Sequence, residues 1–195
     1  MTFNILIAGV GGQGTVLASK LIASAAMRRG YDVRTTETIG MAQRGGSVVG
    51  HTRIGDDIHS PMIGVGGADL LLAFEPAEAV RQLPYLSSSG TLVVYDVPVR
   101  PLAEPSAEKG GYDADAMIRF IRENVPNHVV VHGRRIKEQY PKMVNTALLG
   151  AAALRGLFPF DSEILKEIIS ELPRYREENL AAFVLGGELA DVSAG

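Results

Sequence analysis

The sequence predicts an α/β fold: a mostly parallel, Rossmann-like sheet with flanking helices and a helical C-terminal part. Three observations carry this. Residues 3–8, 68–74, 91–95 and 128–131 are near-continuous apolar runs, the pattern of strands buried on both faces. Helical patterns lie between them, as right-handed crossovers between parallel strands require. A glycine turn, Gly9-Val-Gly-Gly-Gln-Gly14, joins the first run to a small-residue helix.

Taken in order, residues 3–8 form the first strand, and Gly9, Gly11 and Gly14 then match G-x-G-x-x-G in the strand–turn–helix setting that motif needs. The helix over about 14–29 is rich in alanine and serine, which lets it lie close to a sheet. Residues 31–36 read as a second strand and 47–54 as a third with period-two alternation. Gly64-Val-Gly-Gly67 precedes a strand, the wrong place for a phosphate turn, and reads as a plain loop. Pro76 opens a helix after residues 68–74, since proline suits the first helical turn. Residues 97–111, rich in Pro, Ala, Glu and Gly, read as a surface excursion. Beyond residue 140 the pattern is all helical, with apolar stripes at Met143–Leu154, Ile164–Leu172 and Leu180–Val184. Residues 191–195 read as a frayed end.

Bulk properties narrow the function. The chain has 195 residues, long enough for one well-buried domain, and no boundary divides it, so 1–195 is taken as one unit. Its net charge of −3, with no basic block, argues against nucleic-acid binding. It contains no cysteine, which removes thiolate iron–sulfur ligation and cysteine nucleophiles from this chain. Met1–Ala8 lacks a basic region and is too short for a secretory signal, and no apolar run approaches the ~20 residues of a membrane span. The expected setting is cytoplasmic, away from membranes.

Two stretches are candidates for ligand contact. The first is the glycine turn, whose amides over Gly11–Thr15 converge with a helix N-terminus behind them, a geometry that favours an anion such as a phosphate. Gly9, Gly11, Gly12, Gln13, Gly14 and Thr15 are its members. A dinucleotide fold adds an acid about 20 residues on to hold the ribose, and Glu37 is the candidate. The second is the loop that follows Glu37, where Gln43, Arg44, Gly45 and Gly46 stand together. Arg44 offers a planar fork to a phosphate or carboxylate, and loops after strand ends line the ligand crevice of α/β sheets. No catalytic set emerges: the four histidines lack partners at ligand spacing, and no Ser–His–Asp or paired-carboxylate arrangement stands out.

Together, Gly9–Thr15, Glu37-Thr-Ile-Gly-Met-Ala-Gln-Arg-Gly-Gly-Ser-Val48, Val144–Ala151 and Asn179–Phe183 resemble the gamma-type subunit of the 2-oxoacid:ferredoxin oxidoreductase family, in order and over nearly the whole chain. The wording Gly40-Met-Ala-Gln-Arg-Gly-Gly46 is most similar to the small (beta) subunits of the indolepyruvate branch. The glutamate that 2-oxoglutarate relatives carry before the loop's methionine and arginine is absent. The resemblance implies a heteromeric enzyme that takes an aryl 2-oxoacid, coenzyme A and oxidised ferredoxin to an acyl-CoA, carbon dioxide and reduced ferredoxin. It implies thiamine diphosphate and iron–sulfur clusters on the large (alpha) partner subunit, none here, and a small subunit inactive alone that helps to bind coenzyme A. The glycine turn and Gln43–Gly46 are then the positions of contact, with Asn145 as a bridge to that region or a core amide. Two other readings stand beside it: a free-standing dinucleotide-binding oxidoreductase, and a scaffold with an empty glycine turn. An isolated copy is expected to dimerise through its orphaned interface.

Overall fold

In the computed structural model, residues 2–39, 46–99 and 112–192 are described. The elements in chain order are β1 (Thr2–Val10), α1 (Thr15–Arg28), β2 (Asp32–Ile39), β3 (Ser47–Gly55), β4 (Ala68–Ala73), α2 (Pro76–Gln82), β5 (Leu86–Tyr95), α3 (Ala114–Asn124), β6 (His128–Val131), α4 (Arg134–Gln139), α5 (Val144–Ala153), α6 (Ser162–Ser170), α7 (Arg176–Glu188) and β7 (Ala190–Val192). Seven strands form one sheet in the order β2-β3-β1-β4-β5-β6-β7.

The centre of the sheet is parallel: β1 pairs with β4, β4 with β5 and β5 with β6. These strands are the continuous apolar runs of the sequence. Ile5 to Val10 are six consecutive buried residues because both faces of β1 are covered. One face carries Ile5, Ile7, Leu70, Leu72, Val93 and Val131 against α1, α5, α6 and α7. The other carries Leu6, Ala8, Leu71, Leu92 and Val94 against Ala79 of α2 and Ile121 of α3. The small residues of α1 do what the sequence predicts: Ala18, Ser19, Ala25 and Ala26 are buried, and Ser19 meets Thr52 of β3 at 3.2 Å.

The antiparallel strands depart from expectation. β3 inserts between β1 and β2, pairing antiparallel with both. β2 and β3 therefore form a hairpin rather than consecutive members of a parallel sheet. The C-terminus also differs. Residues 191 and 192 are not a frayed end but belong to β7, which pairs antiparallel with β6 through Val129↔Val192 and Val131↔Ala190. Three residues, Ala190-Asp-Val192, are too few to establish a period, so their local pattern does not mark a strand.

Candidate functional site

The glycine turn lies at the carboxyl end of β1. Gly12 and Gly14 have φ of 101° and 80°, and Gly14, in the left-handed region, is the residue before α1. A Cβ at Gly14 would stand 3.0 Å from Nδ2 of Asn145, so the position demands glycine on backbone and on steric grounds. Gly9 is held by close approach instead: a Cβ there would lie 2.9 Å from both Gln13 Oε1 and Thr15 Cγ2.

Gln13 is the keystone of this turn. Its Oε1 accepts from the Val10 amide at 2.7 Å, and its Nε2 donates to the Phe74 carbonyl at 2.7 Å, which ties the tip of β1 to the end of β4. The side-chain amide is thereby spent inside the turn, and the turn presents backbone rather than Gln13 to a ligand. Gln13→Leu leaves a donor and an acceptor unmet and is expected to cost about 2 kcal/mol in urea unfolding. Gln13→Glu should lie between wild type and Gln13→Leu, because a carboxylate still accepts from Val10 but cannot donate to Phe74. Equal stability of all three proteins would show that the bridge contributes nothing.

The predicted site residues divide clearly. The stems of the second candidate loop, Ile39 and Ser47, lie at the same sheet end as the turn, with Ile39 opposite Val48 and Ser47 opposite Val10. The Gly46 carbonyl accepts the Gly11 amide at 2.9 Å, and Ser47 donates to buried Glu78 at 2.6 Å. Gln43, Arg44 and Gly45 lie outside the described residues. Glu37 is elsewhere: it stands opposite Gly50, which stands opposite Ile7, two strands or about 10 Å across the sheet from β1. A dinucleotide fold puts its ribose acid on the strand beside the glycine turn, a place that β3 takes here.

Two lysines stand with the glycine turn around one cleft. A cleft of about 160 Å³ is lined by Gly12 and Gln13, by Tyr95 at the end of β5 and Val97 beyond it, and by Lys137 and Lys142 around α4. Val144, the first residue of α5, closes it. The helix α5 begins at the cleft and α1 begins two residues past Gln13, each without a side-chain cap and without an acidic residue in its first turn. Their unpaired amides and the two ammonium groups give the cleft one sign of charge, and no carboxylate is among its described lining residues. Neither lysine sits in a motif, so only the fold brings them to the turn. Asn145 abuts Gly14, is 3% exposed, and its Oδ1 accepts no hydrogen bond from the described residues. Beside the cleft, burial and the Asp96 charge push the Tyr95 phenol above its ordinary range, and its hydroxyl donates to the Gly133 carbonyl at 2.8 Å.

Two further carboxylates near this end are structural. Glu75 is 2% exposed, caps α2 by accepting from the Glu78 amide and receives the Tyr112 hydroxyl, while Glu78 holds Ser47 and Arg81. His51, buried on β3, accepts the Ile63 amide at Nδ1, and desolvation lowers its pKa. None of these groups faces a second one in an acid–base pair.

Residues 4–189 match the family described as pyruvate ferredoxin/flavodoxin oxidoreductase. The chain is 39% identical over 193 residues to the indolepyruvate oxidoreductase subunit IorB of Archaeoglobus fulgidus, covering 95% of this chain and 94% of that one. Its fold is similar to a pyruvate oxidoreductase subunit from Thermotoga maritima, with a TM-score of 0.71, 24% identity and 98% of both chains covered. It is also similar to a 2-oxoglutarate:ferredoxin oxidoreductase from Magnetococcus marinus, solved with 2-oxoglutarate, coenzyme A and succinyl-CoA bound. There the TM-score is 0.67 at 22% identity, and the match spans 96% of this chain but 31% of that longer one. With residues 4–189 of its 195 inside the family's span, the chain belongs to the pyruvate ferredoxin/flavodoxin oxidoreductase family.

Proposed function

We propose that this chain is the small subunit of a heteromeric 2-oxoacid:ferredoxin oxidoreductase acting on an aryl 2-oxoacid of the indolepyruvate type, and that its cleft holds the anionic part of coenzyme A. The observation that carries the ligand assignment is the convergence of two uncapped helix N-termini with Lys137 and Lys142. Backbone amides and ammonium groups at one point suit a phosphate ester. At about 160 Å³ the cleft is smaller than the ~300 Å³ at which whole-ligand pockets begin, so it fits a phosphate or diphosphate and leaves the rest of the molecule to the partner.

The near-full-length likeness to a curated indolepyruvate oxidoreductase subunit supports the substrate class and the division of labour. A chain with no cysteine supplies no thiolate to a cluster, and thiamine diphosphate and the iron–sulfur clusters are assigned to the large subunit. In this reading the small subunit does no bond-breaking. It orients the thiol donor by fixing the charged end of a long flexible molecule, which lowers the entropic cost of presenting the other end. Gly12, Gly14 and Thr15 offer backbone donors, Lys137 and Lys142 offer charge, and Gln13 keeps the turn rigid. The separation of Glu37 from the glycine turn disfavours the dinucleotide alternative.

Anaerobic affinity capture of the tagged chain from its host tests this. A cysteine-rich large subunit should co-elute with indolepyruvate- and coenzyme A-dependent reduction of a low-potential dye. Capture of the chain alone with a dinucleotide bound would overturn the proposal.

A further inference from the structure

We propose that His132 is a proton-operated latch that holds the C-terminal strand β7 on the edge of the sheet. The imidazole stands between two carboxylates from different elements. Its Nδ1 is 2.8 Å from Asp96 Oδ2, just beyond β5, and its Nε2 is 2.6 Å from Asp191 Oδ2, in the middle of β7. A neutral imidazole has one N–H, so it donates to one carboxylate and turns a lone pair to the other. Only the cation satisfies both.

The two carboxylates are not equivalent. Asp96 is the better anchored: its other oxygen accepts the Gly133 amide at 2.8 Å, and its side chain is 26% exposed against 65% for Asp191. On loss of the proton the Nδ1–H stays with Asp96, and the contact at Nε2 breaks. The bond that opens is therefore the one to β7.

Backbone contacts also fasten this strand. It has three residues, paired with β6 through Val129, Val130 and Val131, and the His132 amide donates to the Leu189 carbonyl. Two cations face Asp191: Arg122 of α3, 3.7 Å away, and Arg155, which also donates to the Ala190 carbonyl. The hydrogen bond from His132, and after it these two cations, hold the Asp191 carboxyl below the usual carboxylate range. Hydrogen bonds to Asp191 and then Asp96 raise the His132 pKa above its ordinary value, against a smaller opposing effect of burial. The sign follows. A group whose folded pKa is raised contributes fully below the unfolded value of about 6.5, and the contribution is lost as pH rises through the folded pKa. The latch is closed in mild acid and opens on the alkaline side, baring the backbone edge of β6.

Hydrogen exchange of the full-length chain tests this, read from about pH 6 to about pH 9 after correction for intrinsic exchange. Protection of the amides of 128–132 and 189–192 should fall several-fold as pH rises, while central amides of β1 and β4 stay unchanged. Asp191→Asn should flatten that dependence, and His132→Gln should show the open level throughout. Since Asp191 is exposed, its replacement leaves the core intact. Ring-nitrogen NMR gives an independent reading: both nitrogens of His132 should be protonated in mild acid, and deprotonation should appear first at Nε2. Protection that does not change with pH in the wild type, an unaltered dependence in Asp191→Asn, or first deprotonation at Nδ1 would each overturn the latch.

Discussion

Gly150→Ala and Gly186→Ala should each destabilise the chain by about 3 kcal/mol or more, although alanine is the better helix former. On propensity alone, glycine to alanine inside a helix stabilises by about 1 kcal/mol. Here the sign reverses because α5 and α7 touch backbone to backbone. A Cβ at Gly150 would fall 1.9 Å from the Phe183 carbonyl oxygen, and one at Gly186 would fall 1.9 Å from the Ala147 carbonyl oxygen. The contacts are reciprocal, since Ala147 and Gly150 stand three apart on α5, as Phe183 and Gly186 do on α7. A carbonyl cannot rotate away as a side-chain tip can, so the helices must separate along their whole contact. Every residue of α5 after Val144 is buried, and Thr146 is hydrogen-bonded to Asn179 across the pair. Overpacking of this kind typically costs about 1–3 kcal/mol, and a rigid obstacle puts these sites at the upper end or beyond. Against a total stability of about 5–15 kcal/mol, either change removes a large share. Gly187→Ala is the matched control, because its nearest obstacle is the mobile Cδ1 of Leu154. Urea midpoints should rank Gly187→Ala well above the other two. Similar midpoints for all three would mean that the two helices separate without cost.

This close packing explains why two stretches stand out in the sequence. Val144–Ala151 and Asn179–Phe183 come together as the two sides of one contact, and Asn145 reaches from its start to Gly14. Periodicity alone reads their apolar stripes correctly but treats Gly150 and Gly186 as weak helix positions, because the partner that requires glycine lies more than 30 residues away. The same limit governs the rest of the fold. β1, β4 and the small-residue face of α1 are legible because burial on both faces leaves a local mark. The insertion of β3 is not, since alternation shows a strand but not the edge that it joins. The position of Glu37 follows from that same fact, since a spacing rule for parallel strands does not carry over to a hairpin. The set Asp96, His132 and Asp191 leaves no mark in the sequence for a like reason. Spacing along the chain shows no partner for His132, because its partners come from β7 and from beyond β5. The turn is legible as a candidate, whereas Lys137 and Lys142 come to it from α4 and the residues just after it and carry no motif.

Those two lysines carry the larger functional prediction. In the assembled oxidoreductase, the double variant Lys137→Ala/Lys142→Ala should raise the KM for coenzyme A about 100-fold while the large subunit still co-purifies. A hydrogen bond to a charged group contributes about 1.5–3 kcal/mol, and 1.4 kcal/mol is tenfold, so each lysine accounts for about tenfold. The helix termini remain in the double variant, and residual binding should survive. kcat at saturating coenzyme A should change little, because neither lysine is placed at the reacting atoms. Lys20→Ala, an exposed change on α1, should leave KM as it is. Salt gives a second readout. With a screening length of about 8 Å at physiological ionic strength, added salt should raise the wild-type KM steeply and that of the double variant weakly. Three results would argue against the cleft as the phosphate site. An unchanged KM places the charged end of the ligand elsewhere. A fall in kcat at constant KM places the lysines nearer the chemistry. Loss of the large subunit on purification makes the cleft a subunit contact, and the two uncapped helix ends would then be receiving a carboxylate of the partner.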